Sequence, residues 1–328
     1  MAGPTVYPAN LQWLGIAKET TYGTAVATPT HWIPLVDPKW KPVQSMLKDD
    51  ALRGDMAATH QQVAGVRYDT IDYKTYLYLD TILPHMLNIL GGVDTVTGAG
   101  DPYTHTIGLL NSGDGQPKSW TLQLYNGAEC WQMTGAQLVQ AEFDVPAEGL
   151  ASSSYQWMGK PATKVSAPTN TPTALKPWAG WNTVITLAGS AAATYSSAKL
   201  TYKRETAPIH VADGTQAPYM IFVGPITVTG ELVGVYPGEA GAPTDLANYL
   251  VNTQPALLVQ INPVGDATHY AKWQHTTVAY DEVEVSGSAG KWMEVNAKFE
   301  AIANSTDAVT TGQSPAKFVC LTTVSAAL

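Results

Sequence analysis

Apolar and polar residues alternate with a period of two in many segments along this chain, and this pattern favours a fold built mainly from β-strands. Thr, Val, Tyr and Trp are plentiful, and Gly and Pro interrupt the sequence often, which is typical of β proteins. The alternation predicts strands over residues 66–79, 120–125, 131–145, 150–158, 181–187, 198–203, 221–236, 257–261, 273–285 and 291–302.

Two short segments have a helical pattern instead. The first follows Asp80 or Thr81, either of which is a suitable N-cap, and ends at Gly91. The second begins at Thr244 and places Leu246 and Leu250 on one face. The sequence therefore predicts one short helix in each half of the chain.

The order of these elements repeats, which predicts an internal duplication. The helices begin at Thr81 and Thr244, and Trp-Gln pairs at Trp131 and Trp273 occupy matching places in the two halves. A Gly-rich loop over residues 91–119, present only in the first half, accounts for the different spacing of helices and Trp-Gln pairs. Chance matching of β patterns is the alternative. The expected division is an N-terminal arm (1–30), a first β domain (31–160), a linker and start of the second half (161–196), a second β domain (197–304) and a C-terminal segment (305–328).

Matching strands in the two halves have one apolar and one polar face. Strand geometry directs alternate side chains to opposite faces, so we expect one face to pack and the other to be wet and acidic. The apolar set is Ala141, Phe143, Val145, Val283 and Val285, and the polar set is Gln140, Glu142, Asp144, Glu282 and Glu284.

Charge and cysteine content exclude several classes of protein. Eighteen Lys and Arg against 27 Asp and Glu give a net charge of −9, which does not favour a grip on nucleic-acid phosphates. No apolar run approaches the roughly 20 residues of a membrane span. Cys130 and Cys320 are too few for a disulfide framework and are interpreted as reduced, buried thiols of a protein that folds in a cytoplasm.

No motif indicates catalysis, a metal or a cofactor. His269 and His275 are the only histidines close in sequence, and no cysteine or second pair completes a metal site. Glu282 and Glu284 share a strand face, which favours a solvated surface over a pair of catalytic carboxylates. A nucleophile elbow and phosphate-binding loops are missing from the sequence. The chain is predicted not to be an enzyme and to need no cofactor or metal.

The segment over residues 14–35 carries the most informative motif. Gly15, Glu19 and Gly23 are spaced by four, and small residues from Thr24 lead to Pro29. This pattern resembles the N-terminal signature of the tail tube (major tail) proteins of long-tailed bacteriophages. The similarity continues through residues 76–80 and their helix, and returns at residues 184–189 and 273–303.

The resemblance implies a structural virion protein with two β-sandwich domains, each flanked by a short helix, that contribute to a β-barrel ring on assembly. Rings would stack into a tube around the tape measure protein, and DNA would later pass through the bore without specific binding. Tail terminator and distal tail proteins would meet the ends of the tube. Two copies per chain favour a trimeric pseudo-hexamer, with a hexamer as the alternative. Assembly would take place in the host bacterial cytoplasm.

Two sets of residues are candidates for the assembly itself. The polar set Gln140, Glu142, Asp144, Glu282 and Glu284 is expected to face the bore, where carboxylates would repel DNA phosphates; the reverse orientation, outward, stays open. The arm would order on a neighbouring subunit and join ring to ring, since a frayed terminus does not require large aromatic residues. Its candidate residues are Trp13, Glu19, Tyr22, Gly23 and Trp32.

Two other functions remain possible from the sequence. A distal-tail or capsid decoration protein would also be part of the virion but would not form long tubes. A carbohydrate-binding β-sandwich would need several of the ten Trp on one exposed face. Trp120, Trp131, Trp273 and Trp292 instead fall within predicted strands.

Overall fold

The computed structural model of the chain describes residues 6–236, 238 and 245–328. Within these residues the fold is mainly β, as predicted, with two short α-helices. In the first half the strands are β1 (Trp13–Lys18), β2 (His31–Ile33), β3 (Lys39–Asp49), β4 (Gln61–Tyr76), β5 (Thr95–Thr97), β6 (Tyr103–Ile107), β7 (Trp120–Tyr125), β8 (Cys130–Pro146), β9 (Ser152–Gly159) and β10 (Thr163–Val165).

The second half continues the series. Its strands are β11 (Thr183–Leu187), β12 (Ser190–Ala191), β13 (Tyr195–Ile209), β14 (Met220–Val235), β15 (Leu257–Ile261), β16 (Tyr270–His275), β17 (Val278–Gly287), β18 (Met293–Ala301) and β19 (Lys317–Thr322). The helices are α1 (Ile82–Leu90) and α2 (Asp245–Leu250).

One antiparallel sheet runs through both halves in the order β3-β4-β9-β8-β13-β14-β18-β17, and we call it the long sheet. Across this sheet, β8 is the last strand of the first half and β13 is the first strand of the second. They pair side by side, with Asp144 opposite Lys199 and Gln140 opposite Lys203. The two halves are therefore joined by strand pairing as well as by the chain.

Smaller sheets complete the sandwich. The N-terminal part of β8 pairs with a different group of strands, in the order β2-β1-β7-β8-β10. The second half has a separate sheet in the order β12-β11-β15-β16-β19-β6-β5. No closed barrel forms among the described strands of the single chain.

The two halves have the same strand order. In the long sheet, β3-β4-β9-β8 is followed by β13-β14-β18-β17. In the smaller sheets, β2-β1-β7-β8-β10 corresponds to β12-β11-β15-β16-β19. The long β8 corresponds to β16 and β17 taken together.

A single core fills the space between the sheets. Phe143 of β8 lies 4.9 Å from Trp273 of β16 between ring centroids, and Trp273 lies 5.8 Å from Phe318 of β19. These side chains are fully buried and belong to one continuous apolar cluster with residues of both halves. The halves thus share their core, although they pair as separate groups of strands.

Helix α1 fits its prediction, and α2 does so in part. Thr81 occupies the N-cap position of α1, although its hydroxyl donates to the carbonyl of Tyr78 and caps no helix N–H. Gly91 ends the helix with a left-handed φ of 72°, and its N–H donates to the carbonyl of Leu87. Every residue of α1 is buried. In α2, the predicted apolar face is wrong, because Leu250 is 69% exposed. The predicted cap, Thr244, lies outside the described residues.

Three segments in which the sequence predicted no strand contain strands. The supposed arm includes β1, whose Leu14 and Ile16 are fully buried. The supposed loop over residues 91–119 contains the β5–β6 hairpin, which joins the sheet of the second half through β19. The C-terminal segment supplies β19, a central strand between β16 and β6. β1 and β19 are apolar on both faces and therefore do not alternate, whereas β5 and β6 are only three and five residues long. β1, β6 and β19 also pair with strands that are distant in sequence.

A buried histidine ties α1 to the long sheet. His85 donates from Nδ1 to the carbonyl of Thr81 (2.6 Å) and accepts at Nε2 from the hydroxyl of Tyr73 (2.6 Å), which itself accepts from the indole of Trp157 (3.0 Å). This arrangement requires the neutral imidazole, and burial lowers the pKa of His85 to about 3.

We expect acid to destabilise the fold through His85. The unfolded histidine has a pKa near 6.5, so below that pH the unfolded state binds a proton that the folded state does not. The free energy of unfolding should then fall by up to about 1.4 kcal/mol per pH unit between pH ~6.5 and ~3. Urea unfolding of the parent and of His85→Gln across this range measures the difference in slope. Parallel loss of stability in both proteins would contradict the assignment.

Candidate assembly surface

The two predicted sets of polar residues lie on one face of the long sheet. On β8, Ala141 and Phe143 are fully buried, whereas Glu142 is partly exposed and Asp144 exposed. On β17, Glu282 and Glu284 are exposed and the intervening Val283 is half-buried. The alternation of faces predicted from the sequence is present in both strands.

A cross-strand row connects these two strands. Asp144 is paired with Lys199, Lys199 with Glu231, Glu231 with Lys298, and Lys298 with Glu282. Directly paired residues point to the same side of a sheet, so all five side chains share one face. The candidates of the first and second halves are therefore parts of a single surface.

The prediction that this surface is acidic was wrong in one respect, because lysines alternate with the carboxylates. Lys199 Nζ lies 3.2 Å from Glu142, and Lys298 Nζ lies 2.7 Å from Glu282. The hydrogen bond and charge of Glu282 raise the pKa of Lys298. Sequence reasoning missed these lysines because they come from β13 and β18, which pair with the acidic strands only in the folded sheet. The surface is polar with mixed charge.

Both outer strands of the long sheet have a free edge. Among the described residues, β3 pairs only with β4, and β17 pairs only with β18. The β3 edge carries exposed Lys39 and Lys41, and the β17 edge carries exposed Glu282 and Glu284. Exposed edges are templates for pairing with another chain, and these two have opposite charge.

Glu19, a candidate of the supposed arm, is instead buried inside the chain at 2% exposure. Its carboxylate accepts four hydrogen bonds: from the N–H groups of Gly23 (2.7 Å) and Gly135 (2.9 Å) and from the hydroxyls of Ser119 (2.6 Å) and Thr121 (2.8 Å). These donors come from the turn after β1 and from the region of β7 and β8. Glu19 therefore fixes the N-terminal segment to its own sheet.

The glycines of the same motif are required by the geometry around Glu19. Gly23 has a φ of 72°, which lets its N–H turn back to the carboxylate. A Cβ on Gly15 would lie 2.4 Å from the ring of Pro29, so this position admits no side chain. The four-residue spacing Gly15, Glu19 and Gly23 thus builds a closed loop within the chain.

Tyr22 connects the N-terminal segment to the second half. Its hydroxyl donates to the carbonyl of Gly135 (3.3 Å) and accepts from the N–H of Ile221 on β14 (2.6 Å). Burial raises the pKa of Tyr22 to about 12. Trp13 and Trp32 are half-buried and pack edge to face at 5.1 Å, with Tyr125 stacked on Trp13 at 5.5 Å. The segment from Trp13 to Trp32 is an integrated part of the fold, so an arm that is unstructured until assembly is wrong for these residues.

The comparison with known families matches most of the chain. The sequence model of the phage tail tube protein family covers residues 10–270, which include the Glu19 loop and most of the long sheet. The chain belongs to the phage tail tube protein family. No curated protein matches it. The family is one of structural tail components rather than enzymes, so this tail tube protein is a structural part of the virion.

Cys130 and Cys320 are free and buried, as predicted, and burial raises the pKa of both thiols. In the part of the chain that the structure describes, no group of three or more His, Cys, Asp or Glu is placed to hold a metal ion. Over the same residues, no helix is long and apolar enough to span a bilayer.

Arg204 of β13 is a buried structural residue that sequence reasoning did not identify. It is 4% exposed and donates to the carbonyls of Ile89 (2.8 Å) and Leu90 (2.9 Å) at the end of α1, and to that of Gly224 (3.0 Å). Burial lowers the pKa of Arg204 to about 10. The guanidinium thus anchors the helix of the first half to the first strand of the second. Its signal in the sequence, a charged residue at an apolar position of a strand, is visible only once the face of β13 is known.

Proposed function

We propose that this tail tube protein polymerises as stacked rings of three chains, which form the phage tail tube through which DNA is ejected. The observation that carries the proposal is the long sheet, which is polar on one face and free at both edges. A sheet with two free edges of opposite charge is suited to closing into a ring with copies of itself. The tape measure protein would occupy the bore during assembly, which would take place in the host cytoplasm, with tail terminator and distal tail proteins at the ends.

The strand order supports an internal duplication. Its strongest support is the position of irregularities, which chance similarity does not reproduce. The β8–β9 register shifts between Leu138 and Gln140, and the β17–β18 register shifts between Tyr280 and Glu282. The two shifts are separated along the chain by the same interval as Trp131 and Trp273, the first residues of the Trp-Gln pairs.

The first two strands of each half also have a register shift at matching positions. The β3–β4 register shifts between Gln44 and Met46, and the β13–β14 register shifts between Arg204 and Thr206. Bulges of this kind are features of a particular fold rather than random defects. We infer that residues 31–160 and 197–304, extended by their flanking strands, descend from one tube domain.

Duplication favours three chains over six. Because β8 and β13 continue one sheet, both halves present strands to the same surface, and three chains supply about 24 strands (three times eight). With strands about 4.8 Å apart and tilted by about 40°, such a barrel has a radius of roughly 24 Å. Barrels of 16 to 18 strands already enclose an aqueous channel, so this bore is wide. In a ring of six chains, one half of each chain would have to lie outside the barrel wall.

The polar face of the long sheet is proposed to line the bore. Its lysines are interleaved with carboxylates, so it presents no continuous basic strip to grip phosphate, and Glu284 and Asp144 add negative charge at each repeat. Physiological salt screens the electrostatic potential of these charges over about 8–10 Å. DNA would slide along such a wall without specific contacts.

Ring-to-ring contacts are proposed at the tips of the long hairpins. The β3–β4 tip, residues 50–60, exposes Leu52 and Met56 completely, and the β13–β14 tip, residues 210–219, exposes Val211 and Tyr219. Exposed apolar side chains on projecting loops are candidate contact surfaces. Because Trp13, Glu19, Tyr22, Gly23 and Trp32 are built into the fold, any contribution of theirs to the ring interface comes from a preformed surface.

Electron microscopy of the purified protein tests the proposal. We expect tubes of stacked rings with three chains in each ring and with Gln140, Glu142, Asp144, Glu282 and Glu284 facing the bore. Isolated rings or capsid-bound monomers would favour a distal-tail or decoration protein, and a stable monomer that binds glycans would favour a carbohydrate module. Tubes in which these residues face outward would reverse the assignment of faces.

A further inference from the structure

We infer that neighbouring chains join by pairing β17 of one chain with β3 of the next, antiparallel, in the register of the internal β8–β13 junction. This rests on the proposed ring and specifies how its subunits meet. The partner is a second copy of the chain, and the contact is a strand pair rather than a packing of side-chain surfaces. The register places Glu284 of one chain opposite Lys41 of the next.

The internal junction provides the template. In it, Thr201 of β13 lies opposite Glu142 of β8, and Lys199 lies opposite Asp144. An ion pair between Lys199 and Glu142, at 3.2 Å, crosses the junction. Each half contributes one edge: the last strand of the first half accepts the first strand of the second.

The free edges are the equivalents of this template. When the register shift of β17 is aligned with that of β8, Glu284 is equivalent to Glu142 and Ser286 to Asp144. When the register shift of β3 is aligned with that of β13, Lys39 is equivalent to Lys199 and Lys41 to Thr201. The expected partners across the new junction are Lys39 with Ser286, Lys41 with Glu284, and Val43 with Glu282.

Charge complementarity supports this register. Across the inferred junction, Lys39 and Glu284 occupy the positions equivalent to the internal ion pair of Lys199 and Glu142. Lys41 would lie directly opposite the same glutamate. On the free chain these lysines and Glu284 are exposed. Lys39 makes only an exposed ion pair with Asp37, at 3.3 Å, and within the described residues Lys41 and Glu284 have no salt bridge. Pairing supplies an opposite charge and satisfies the free backbone groups of both edges.

Helix α2 provides a second, independent argument. Helix α1 contacts both β8 and β13, so it bridges the internal junction, and Arg204 of β13 bonds to its last carbonyls. Helix α2 contacts β17 and β18, the last two described strands at that end of the sheet, and its Leu250 and the following Val251 are 69% and 73% exposed. The next chain's β3 would cover this end, with Gln44 in the position of Arg204. Burial of an exposed apolar helix end favours the same neighbour as the strand edges.

Cross-linking tests the register. The variant Lys41→Cys/Glu284→Cys is assembled and treated with a short thiol-to-thiol cross-linker, and the native Cys130 and Cys320 are buried and stay unreactive. We expect most chains to become linked into species that end at a closed trimer on a denaturing gel. The matched positive control, Glu142→Cys/Thr201→Cys, reports the same geometry within one chain and should link without changing the chain's oligomeric size.

A second control tests whether cross-linking is specific to this register. Lys41→Cys/Asn296→Cys places the second thiol one strand further in, on β18 directly opposite Glu284, and should link weakly. Tubes that form but link at other β3–β17 positions, or only in the β18 control, overturn the inferred register while leaving the tube itself intact. A protein that is folded, links in the intrachain control and never forms rings overturns the proposed function instead.

Discussion

Replacing Glu19 with alanine is expected to lower the free energy of unfolding by roughly 3–5 kcal/mol. The carboxylate is buried and receives four hydrogen bonds, two of them from the backbone N–H groups of Gly23 and Gly135. Without it, these donors stay buried with no partner, and each such group costs about 1–3 kcal/mol. The loop that holds β1 against β7 would lose its central contact.

Urea unfolding monitored by tryptophan fluorescence measures this effect. The matched control is Glu129→Ala, since Glu129 makes a partly exposed ion pair with Lys164 at 2.6 Å and should lose less than about 1 kcal/mol. Glu19→Gln retains one acceptor oxygen and should fall between the two. Equal, small losses in Glu19→Ala and Glu129→Ala would show that the buried carboxylate does not hold the N-terminal segment.

Replacing Arg204 with methionine is expected to destabilise the chain by roughly 2–4 kcal/mol. Methionine keeps much of the apolar volume but removes the donors to the carbonyls of Ile89, Leu90 and Gly224. Leu90 keeps a second donor, the N–H of Leu110, so the loss falls mainly on the other two carbonyls. Arg204→Lys should also destabilise, because one ammonium cannot reach three separated acceptors in the way that a planar guanidinium does.

Lys203→Met is the control for Arg204, because Lys203 is the adjacent residue and points to the exposed face of the same strand. Hydrogen exchange adds a local measurement: amides of α1 should exchange faster in Arg204→Met and stay protected in Lys203→Met. If both variants lose similar stability and α1 remains equally protected, Arg204 does not join the two halves.

The sequence by itself determined the long alternating strands and the first helix of this protein. The alternation of Ala141, Phe143 and Val145 with polar neighbours depends only on strand geometry, so it identified β8 and its faces without knowledge of any partner. The end of the first helix was equally accessible, because Gly91 terminates it through its left-handed backbone conformation. The N-terminal motif also identified the family correctly.

Tertiary structure decided what those local elements do. The motif around Glu19 was interpreted as an arm because its four hydrogen-bond donors include Ser119, Thr121 and Gly135, which are far from it along the chain. The lysines that neutralise the acidic face, and the junction of β8 with β13, likewise depend on pairing between distant strands. Alternation specifies which way a side chain points, but backbone pairing specifies its neighbours, and the register of that pairing is set by the packing of the whole core.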